Sequence, residues 1–382
     1  MKIVADENIP FVEEAFGTLG DITMLPGREI GPEQVREADL LLVRSVTVVD
    51  ATLLEGSPVR FVGSATIGLD HVDQVFLRAR GIPLAYAPGS NANSVAEYVV
   101  AALAALGSER YAGRTLGIIG RTLGIIGLGR IGTLVREKAR ALGMAVLAND
   151  PPLERAGLGG LVPLEALLKR SDIVTCHVPL TREGPDATAH LLDASKLSLL
   201  RPHAIVINTS RGAVVDNAAL LRCLQEKRLG GAVLDVWEGE PEPDPGLIRA
   251  VTLGTPHIAG YSWDGKAAGT KMLYEAACAF LNRRSEWAPP PAHGEAGRRP
   301  VAAGRSLDEI LRELVPRSCD IRRDDAALRA IAELSGPERG RAFDRLRVSY
   351  PKRLEFRHTS VAVPVGRPEI GTALRTLGFT VL

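Results

Sequence analysis

Residues 113–132 read GRTLGIIGRTLGIIGLGRIG, with one seven-residue unit occurring twice without divergence, at 113–119 and at 120–126. An apolar run leading directly into G-x-G-x-x-G is a demanding pattern, because a buried strand, a tight turn and a helix must follow one another without a spacer. Only the second copy meets it. Ile126 runs into Gly127, Gly129 and Gly132, whereas the first copy is followed by Gly120-Arg121-Thr122 and the spacing fails. The second copy is therefore expected to be the strand. In such a turn the first glycine permits the bend, the second lets the backbone approach a bound group, and the third lets the helix pack closely. A helix opening at Arg130 and Ile131 then offers its N-terminus to a pyrophosphate. The following apolar segment, MAVLAND, ends in Asp150. A carboxylate there accepts hydrogen bonds from a ribose diol and repels a 2′-phosphate, which points to NAD rather than NADP.

The first strand of such a sheet is central and has neighbours on both edges, so an identical strand beside it has no free ladder. Residues 113–119 are accordingly expected outside the sheet, as extra loop or as a longer approach from the preceding helix. A perfect repeat is also what a sequencing artefact leaves.

Around this motif the chain alternates strands and helices. Residues 1–93 contain KIVAD, PFVEEAFGTLG, DLLLVRS, PVRFVGSAT and IPLAYAP, the rhythm of a parallel sheet with helical crossovers. SVAEYVVAALAALG, from Ser94, is a long apolar helix whose opening Ser94 and Glu97 have the spacing of a capping box. DIVTCHVP, AIVINTS, GAVLDV and VTLGTPH continue the strand series through residue 260, a second doubly wound unit. Residues 285–305 are rich in Pro, Gly and Ala and read as a linker. Residues 306–382 carry helices at SLDEILREL, ERGRAFDRLRVSYPKRLEF and PEIGTALRTLG with strands at HTSVAVPV and FTVL, a small α+β module.

Lys and Arg number 46 against 45 Asp and Glu, a formal charge of +1, which supplies no overall attraction for nucleic acid or an anionic membrane. The N-terminus meets Asp6 and Glu7 at once and is expected to be a first strand rather than a signal peptide. No long apolar run suggests a spanning helix. Cys176, Cys223, Cys278 and Cys319 are scattered without metal or disulfide spacing, so reduced thiols, a cytoplasmic setting and no metal are expected.

Three residues follow three successive predicted strands: Arg211 after AIVINTS, Glu240 after GAVLDV and His257 after VTLGTPH. In doubly wound sheets the carboxyl ends of the strands line one crevice. Removing hydride from a 2-hydroxy acid needs a cation for the carboxylate, a base for the hydroxyl proton and a group to orient the base, and Arg211, His257 and Glu240 suit those roles.

GLGRIG, NTSRGAVVD, DVWEGEP and PHIAGY closely resemble the D-isomer-specific 2-hydroxyacid dehydrogenases. ADENIP, PGREI, LLVRSVTVVD, FVGSATIGLDHVD, PGSNANSVAEYV and DIRRDDAALR narrow the resemblance to the branch that oxidises a phosphorylated sugar acid on the way to pyridoxal phosphate. It covers nearly the whole chain, departing at the repeat and matching the linker and far C-terminus more loosely. The resemblance implies NAD-dependent hydride transfer by Arg211, Glu240 and His257. It places Val178, Thr209, Ser210, Asp235 and Gly260 beside the cofactor, with Gly127, Gly129, Arg130, Ile131, Gly132 and Asp150. Ser45, Thr66 and Tyr261 are implied to touch substrate; a terminal phosphate needs donors or cations beside them, and Arg44, next to Ser45 in the chain, is a candidate charge. The implied fold is α/β: two doubly wound parallel-sheet domains, Rossmann- and flavodoxin-like, plus a small α+β dimerisation domain. Residues 1–93 and 261–284 form the substrate domain, 94–260 the NAD domain and 306–382 the dimerisation domain, in a homodimer with the substrate cleft between the first two. A phosphoglycerate-type enzyme and an NAD-sensing corepressor share the fold and triad and are the competing readings, along with a product disabled by the duplication.

Overall fold

The computed structural model describes residues 1–107, 110–111, 114–115, 120–292, 299–300, 305–363 and 366–382. The chain divides into two units: Met1–Asn91 with Ser262–His293, and Ala92–Tyr261 with Gly294–Leu382.

The first unit is built on a parallel sheet of β1 (Lys2–Asp6), β2 (Asp21–Leu25), β3 (Leu40–Val43), β4 (Phe61–Ser64) and β5 (Leu84–Tyr86), in the order β2-β1-β3-β4-β5. Successive side chains of a strand point to opposite faces, so a sheet covered on both faces needs continuous apolar strands. Ile3, Ala5, Leu40, Leu42 and Phe61 accordingly meet Leu273, Tyr274 and Ala277 of the helix Trp263–Phe280. Val4, Leu41, Val43 and Val62 face Val35, Leu53, Leu54 and Leu77. β2 was not singled out in the sequence. It is an edge strand and largely solvent-facing, so it carries no apolar signal of its own.

In the second unit, β8 (Thr122–Ile126), β9 (Ala145–Asn149), β10 (Ile173–Cys176), β11 (Ile205–Asn208), β12 (Gly231–Leu234) and β13 (Leu253–Gly254) form a parallel sheet in the order β13-β12-β11-β10-β8-β9. The second copy of the repeat thus supplies the strand. Leu123 pairs with Ile173 on one side and Val146 on the other, and Leu123, Ile125 and Ile126 are buried. Of the first copy, Arg114–Thr115 (β7) pairs antiparallel with Arg110–Tyr111 (β6), apart from the six-stranded sheet. Gly113 and residues 116–119 lie outside the described residues.

The C-terminal segment contributes a three-stranded parallel sheet, β14 (Arg299–Pro300), β15 (Ser360–Ala362) and β16 (Thr380–Val381), and helices Leu307–Ser318, Ile321–Ala330, Gly336–Val348 and Pro368–Leu377. The single helix expected over ERGRAFDRLRVSYPKRLEF ends at Val348, before Pro351, which has no N–H to continue it. Where the sequence suggests a module beyond a linker, the structure groups this segment with Ala92–Tyr261. The reason is a shared core. Ile310, Leu311, Leu314, Phe356, Leu374 and Phe379 are buried with Tyr98, Leu103 and Leu123, and Leu328 and Phe343 with Trp237.

That shared core overturns the capping box. The helix runs Ala92–Gly107, so Ser94 lies inside it. Ser94 Oγ donates to Glu355 Oε1 at 3.0 Å, and Glu97 accepts from the Phe356 amide at 3.0 Å and from Asn93 Nδ2 at 3.0 Å. Burial, then the neighbouring Glu355 charge, push the Glu97 carboxyl up to about 8 against the opposing pull of Lys138. An acid whose proton affinity rises on folding contributes its full stability below its unfolded pKa, and loses it as pH climbs through the folded value. Glu97→Gln is therefore expected to flatten the fall in stability between pH 5 and 8. Relative to wild type it gains at most about 1.4 kcal/mol per pH unit, read from urea midpoints across that range. Parallel pH profiles for the two proteins would refute this role.

Candidate active site

β8 lies between β9, which follows it in the chain, and β10 on its other edge, so the chain reverses direction across the sheet there. The carboxyl ends of β8 and β10 flank the crevice where such sheets bind ligands. Gly127 directly follows β8 with φ +88°, in the left-handed region that favours glycine. A Cβ on it would sit 2.6 Å from the His177 carbonyl oxygen and 2.7 Å from Val178 Cγ1. A Cβ on Gly132 would sit 2.0 Å from the Gly127 oxygen, which is the close helix–strand contact the third glycine exists to allow. Gly129 differs: a Cβ there meets nothing within 4 Å. It is the N-cap of the helix Arg130–Ala141, has no side-chain cap and is exposed together with Arg130, with Ile131 half-buried behind them. Two tightly packed glycines and one open one at an uncapped helix N-terminus fit a pyrophosphate. Asp150 follows β9, where its Oδ2 accepts from the Leu128 amide at 2.8 Å and its Oδ1 from the Leu153 amide at 3.0 Å. It ties the glycine loop to the strand end and caps the helix Pro151–Arg155.

Beyond β10, His177 is kept neutral by burial, its imidazole pushed down to about 3. It bonds Thr175 Oγ1 at 3.0 Å and lies 3.4 Å from Thr209 Oγ1. Beyond β11, Asn208 accepts from both Ser210 N and Ser210 Oγ and donates to the Arg211 carbonyl at 2.8 Å, which shapes the Thr209–Arg211 turn. Arg211 donates to the Ser210 carbonyl at 2.8 Å. Gly212 lets this loop touch the next one, since a Cβ there would lie 2.0 Å from the Trp237 carbonyl carbon.

After β12 and β13 the structure brings two of the three expected catalytic residues into direct contact. His257 Nδ1 and Glu240 Oε2 are 2.7 Å apart, and Glu240 Oε1 accepts the Trp237 amide at 2.8 Å. Burial raises the Glu240 carboxyl, but the His257 charge and hydrogen bond, the Trp237 amide and the Arg347 cation outweigh it, so Glu240 sits below the usual carboxylate range. His257 has φ +58°, an uncommon conformation for a residue with a side chain. Asp235 over-determines that turn. Its backbone oxygen accepts the His257 amide, and its carboxylate accepts from Thr255 Oγ1, Ile258 N and Ala259 N at 2.6–2.9 Å. With 1 % exposure, the Asp235 side chain is filled by these bonds and acts as the frame of the His257 loop. The turn continues through Gly260 to Tyr261, whose amide donates to the Ile258 carbonyl at 2.8 Å.

In the first unit Ser45 is exposed just beyond β3. Thr66 is half-buried and bonds Ser64 Oγ at 2.7 Å, which in turn bonds His71 Nε2 at 3.0 Å. Arg44 has its Nε 3.7 Å from the buried Asp6 carboxylate, and its Nη1 donates to the Asn8 carbonyl at 3.3 Å.

Several residues near the site gave no sequence signal. Arg353 is fully buried and donates to the Ala259 carbonyl at 2.5 Å, and the Gly254 amide donates to Asp325 at 2.7 Å. Gly336 and Gly340 abut the Glu242 side chain. The C-terminal segment therefore backs both loops that carry Glu240 and His257.

A family model for the D-isomer specific 2-hydroxyacid dehydrogenase NAD-binding domain matches residues 95–259, and one for a domain of unknown function, DUF3410, matches 299–378. The chain is 52% identical over 381 residues to the erythronate-4-phosphate dehydrogenase of Salinibacter ruber, covering 95% of each chain. It is 42% identical to that of Escherichia coli over 390 residues, covering 99% of this chain and 98% of the other. Among solved structures, a D-lactate dehydrogenase from Aquifex aeolicus complexed with NAD and lactic acid superposes with TM-score 0.64 at 26% identity, over 74% of this chain and 96% of that one. The TT0316 protein of Thermus thermophilus gives 0.65 at 27%, over 75% and 98%. Both solved chains are spanned almost whole while about a quarter of this chain has no counterpart in them.

Proposed function

The chain belongs to the erythronate-4-phosphate dehydrogenases, within the NAD-dependent D-isomer-specific 2-hydroxyacid dehydrogenases, and from that premise we propose that it oxidises 4-phospho-D-erythronate to 3-hydroxy-2-oxo-4-phosphooxybutanoate in vitamin B6 synthesis. The observation that carries the reading is the 2.7 Å contact between His257 Nδ1 and a Glu240 carboxylate held ionised. Glu240 accepts a hydrogen bond from Nδ1–H, which leaves the Nε2 lone pair to take the proton of the substrate 2-hydroxyl. As that proton leaves, Glu240 stabilises the imidazolium. NAD supplies the acceptor for the hydride released from C2. Arg211 grips the substrate carboxylate, its guanidinium already oriented by the Ser210 carbonyl. Gly127, Gly129, Arg130, Ile131, Gly132 and Asp150 hold the cofactor's phosphates and ribose, and Val178, Thr209, Ser210 and Gly260 border it. Asp235 acts there through the loop it frames. Ser45, Thr66 and Tyr261 are assigned to substrate on the resemblance alone.

Turnover of 4-phosphoerythronate with NAD, set against erythronate, lactate and 3-phosphoglycerate, tests this reading. The phosphorylated four-carbon acid is expected to lead, and a preference for 3-phosphoglycerate, or binding of NAD without turnover of any acid, would displace it. Arg211→Lys is expected to cut kcat/KM by about 10²-fold, because an ammonium cannot reproduce a planar two-point grip on carboxylate. An unchanged value would remove Arg211 from this role. We further propose a cytoplasmic homodimer joined through residues 306–382. No helix among the described residues is long and apolar enough to cross a membrane, and all four cysteines are buried as free thiols. Light scattering of the purified chain decides between dimer and monomer.

A further inference from the structure

The substrate proposed above carries a dianionic phosphate, and neither the family resemblance nor the catalytic pair says what holds it. Arg44 lies 3.7 Å from the Asp6 carboxylate and donates to the Asn8 carbonyl. The second unit contains another cation beside the site. Arg347 stands in the last turn of the helix Gly336–Val348, with its guanidinium 5.7 Å from the centroid of the Tyr261 ring. Its side chain is nine-tenths buried, and its Nε has no hydrogen-bond partner. Among the described residues its ion-pair partner, Asp344, approaches Nη1 only to 3.8 Å, and it also interacts with the Tyr261 hydroxyl and feels the Glu240 charge. A buried guanidinium left partly unsatisfied is costly unless something else completes it.

Its surroundings hold it in place. Tyr350 packs edge-on against Tyr261 at 6.1 Å between centroids and donates its hydroxyl to Asp324 at 2.9 Å. Arg353 anchors the same stretch to the Ala259 carbonyl, two residues from His257. The helix that presents Arg347 also carries Gly340, where a Cβ would lie 3.0 Å from Glu242 Cγ and 3.5 Å from Pro241 Cγ, next to Glu240. The guanidinium thus lies over the Tyr261 ring, on a helix that abuts the loop of Glu240, and Glu240 feels its charge. A planar five-donor cation, preorganised and partly desolvated, suits a phosphate monoester better than any single hydroxyl does.

We propose that Arg347, stacked on Tyr261, binds the terminal phosphate of the substrate, so that the C-terminal segment supplies the enzyme's selectivity for phosphorylated over unphosphorylated 2-hydroxy acids. The inference rests on the proposed substrate. It also gives the segment 299–378 a part in recognition that differs from subunit contact.

The test compares kcat/KM for 4-phosphoerythronate and for erythronate in wild type, Arg347→Gln and Arg347→Lys, with NADH binding followed by fluorescence as the check on folding. Arg347→Gln is expected to lose about 10²-fold more on the phosphorylated acid than on erythronate, where only the loss of its charge beside Glu240 is felt, so that the ratio between them collapses. Arg347→Lys keeps the buried charge and the stem, and carries the test alone if the glutamine variant does not fold. Its ratio is expected to fall about tenfold. Inorganic phosphate should compete with 4-phosphoerythronate in the wild type and correspondingly more weakly in the variants. An equal loss on both acids would make Arg347 a positioning residue for Glu240 and overturn the proposal. So would unchanged inhibition by phosphate. A wild-type preference for the phosphorylated acid that survives both substitutions removes Arg347 and leaves the substrate reading standing. A wild-type enzyme with no such preference removes both.

Discussion

His257→Asn is expected to lower kcat by about 10²- to 10⁴-fold while NADH still binds, because asparagine keeps the volume of the ring near its backbone but offers no basic nitrogen. The glycine loop and β8 stand on a different part of the sheet and do not depend on the imidazole. Glu240→Gln tests the second half of the pair. Glu240 is held ionised by the His257 charge, the Trp237 amide and Arg347 against the cost of its burial. Without that counter-charge the imidazolium is less stable, so the acidic limb of the pH profile for oxidation should move to lower pH and the plateau should drop. Stopped-flow binding of NADH beside steady-state rates across pH 5–9 separates the two effects. A His257→Asn enzyme with near-normal turnover would sink the base assignment. A Glu240→Gln profile that keeps its shape and falls only in height would show that Glu240 orients the ring without tuning it.

The parts of this site that were legible in the sequence are those in which one local stretch contains its own reason. Gly127, Gly129 and Gly132 follow an apolar strand at a spacing that only one fold geometry needs, and Arg211, Glu240 and His257 each lie in the loop after a strand. Strands β11, β12 and β13 are adjacent and parallel, so those loops leave the same edge of the sheet, and Glu240 and His257 meet there. What was not legible depends on partners far along the chain. Ser94 and Glu97 have the spacing of a helix cap, but i and i+3 on a helix also share one face. Here that face meets Glu355 and Phe356, more than 250 residues away. The charged run ERGRAFDRLR reads only as a helix, with nothing in it to say that Arg347 lies nearly buried. Arg353, in the stretch after Val348, is buried against Ala259 with as little sign in the sequence. Asp235 shows the same limit from the other side. Its position at the end of β12 fits a ligand contact, but its carboxylate is consumed by the turn that holds His257 at positive φ.

The repeat offers two positions that are identical in their local sequence, which makes it a test of register. Removing either copy yields the same chain, so a deletion asks only whether one copy suffices, and retained NADH binding is its expected result. Point substitutions separate the copies. Gly124 lies in β8, where a Cβ would sit 2.3 Å from Ser171 Oγ and 2.5 Å from Leu167 Cδ2. Valine there must displace the neighbouring helix Leu164–Arg170 or shift the strand that ends at Gly127. Overpacking of this kind costs about 1–3 kcal/mol or more, and because it falls on the strand that sets the glycine loop, NADH affinity should drop by at least about tenfold. Gly117 holds the same place in the first copy, with the same neighbours in sequence. The central strand is complete without it, since Leu123 and Ile125 already pair on both sides. Gly117→Val is therefore expected to leave NADH affinity within about threefold of wild type, an effect too small for a packed-core position. Fluorescence titration of the two variants side by side reads the difference. A damaging Gly117→Val beside a harmless Gly124→Val would mean that the first copy, not the second, leads into the glycine loop.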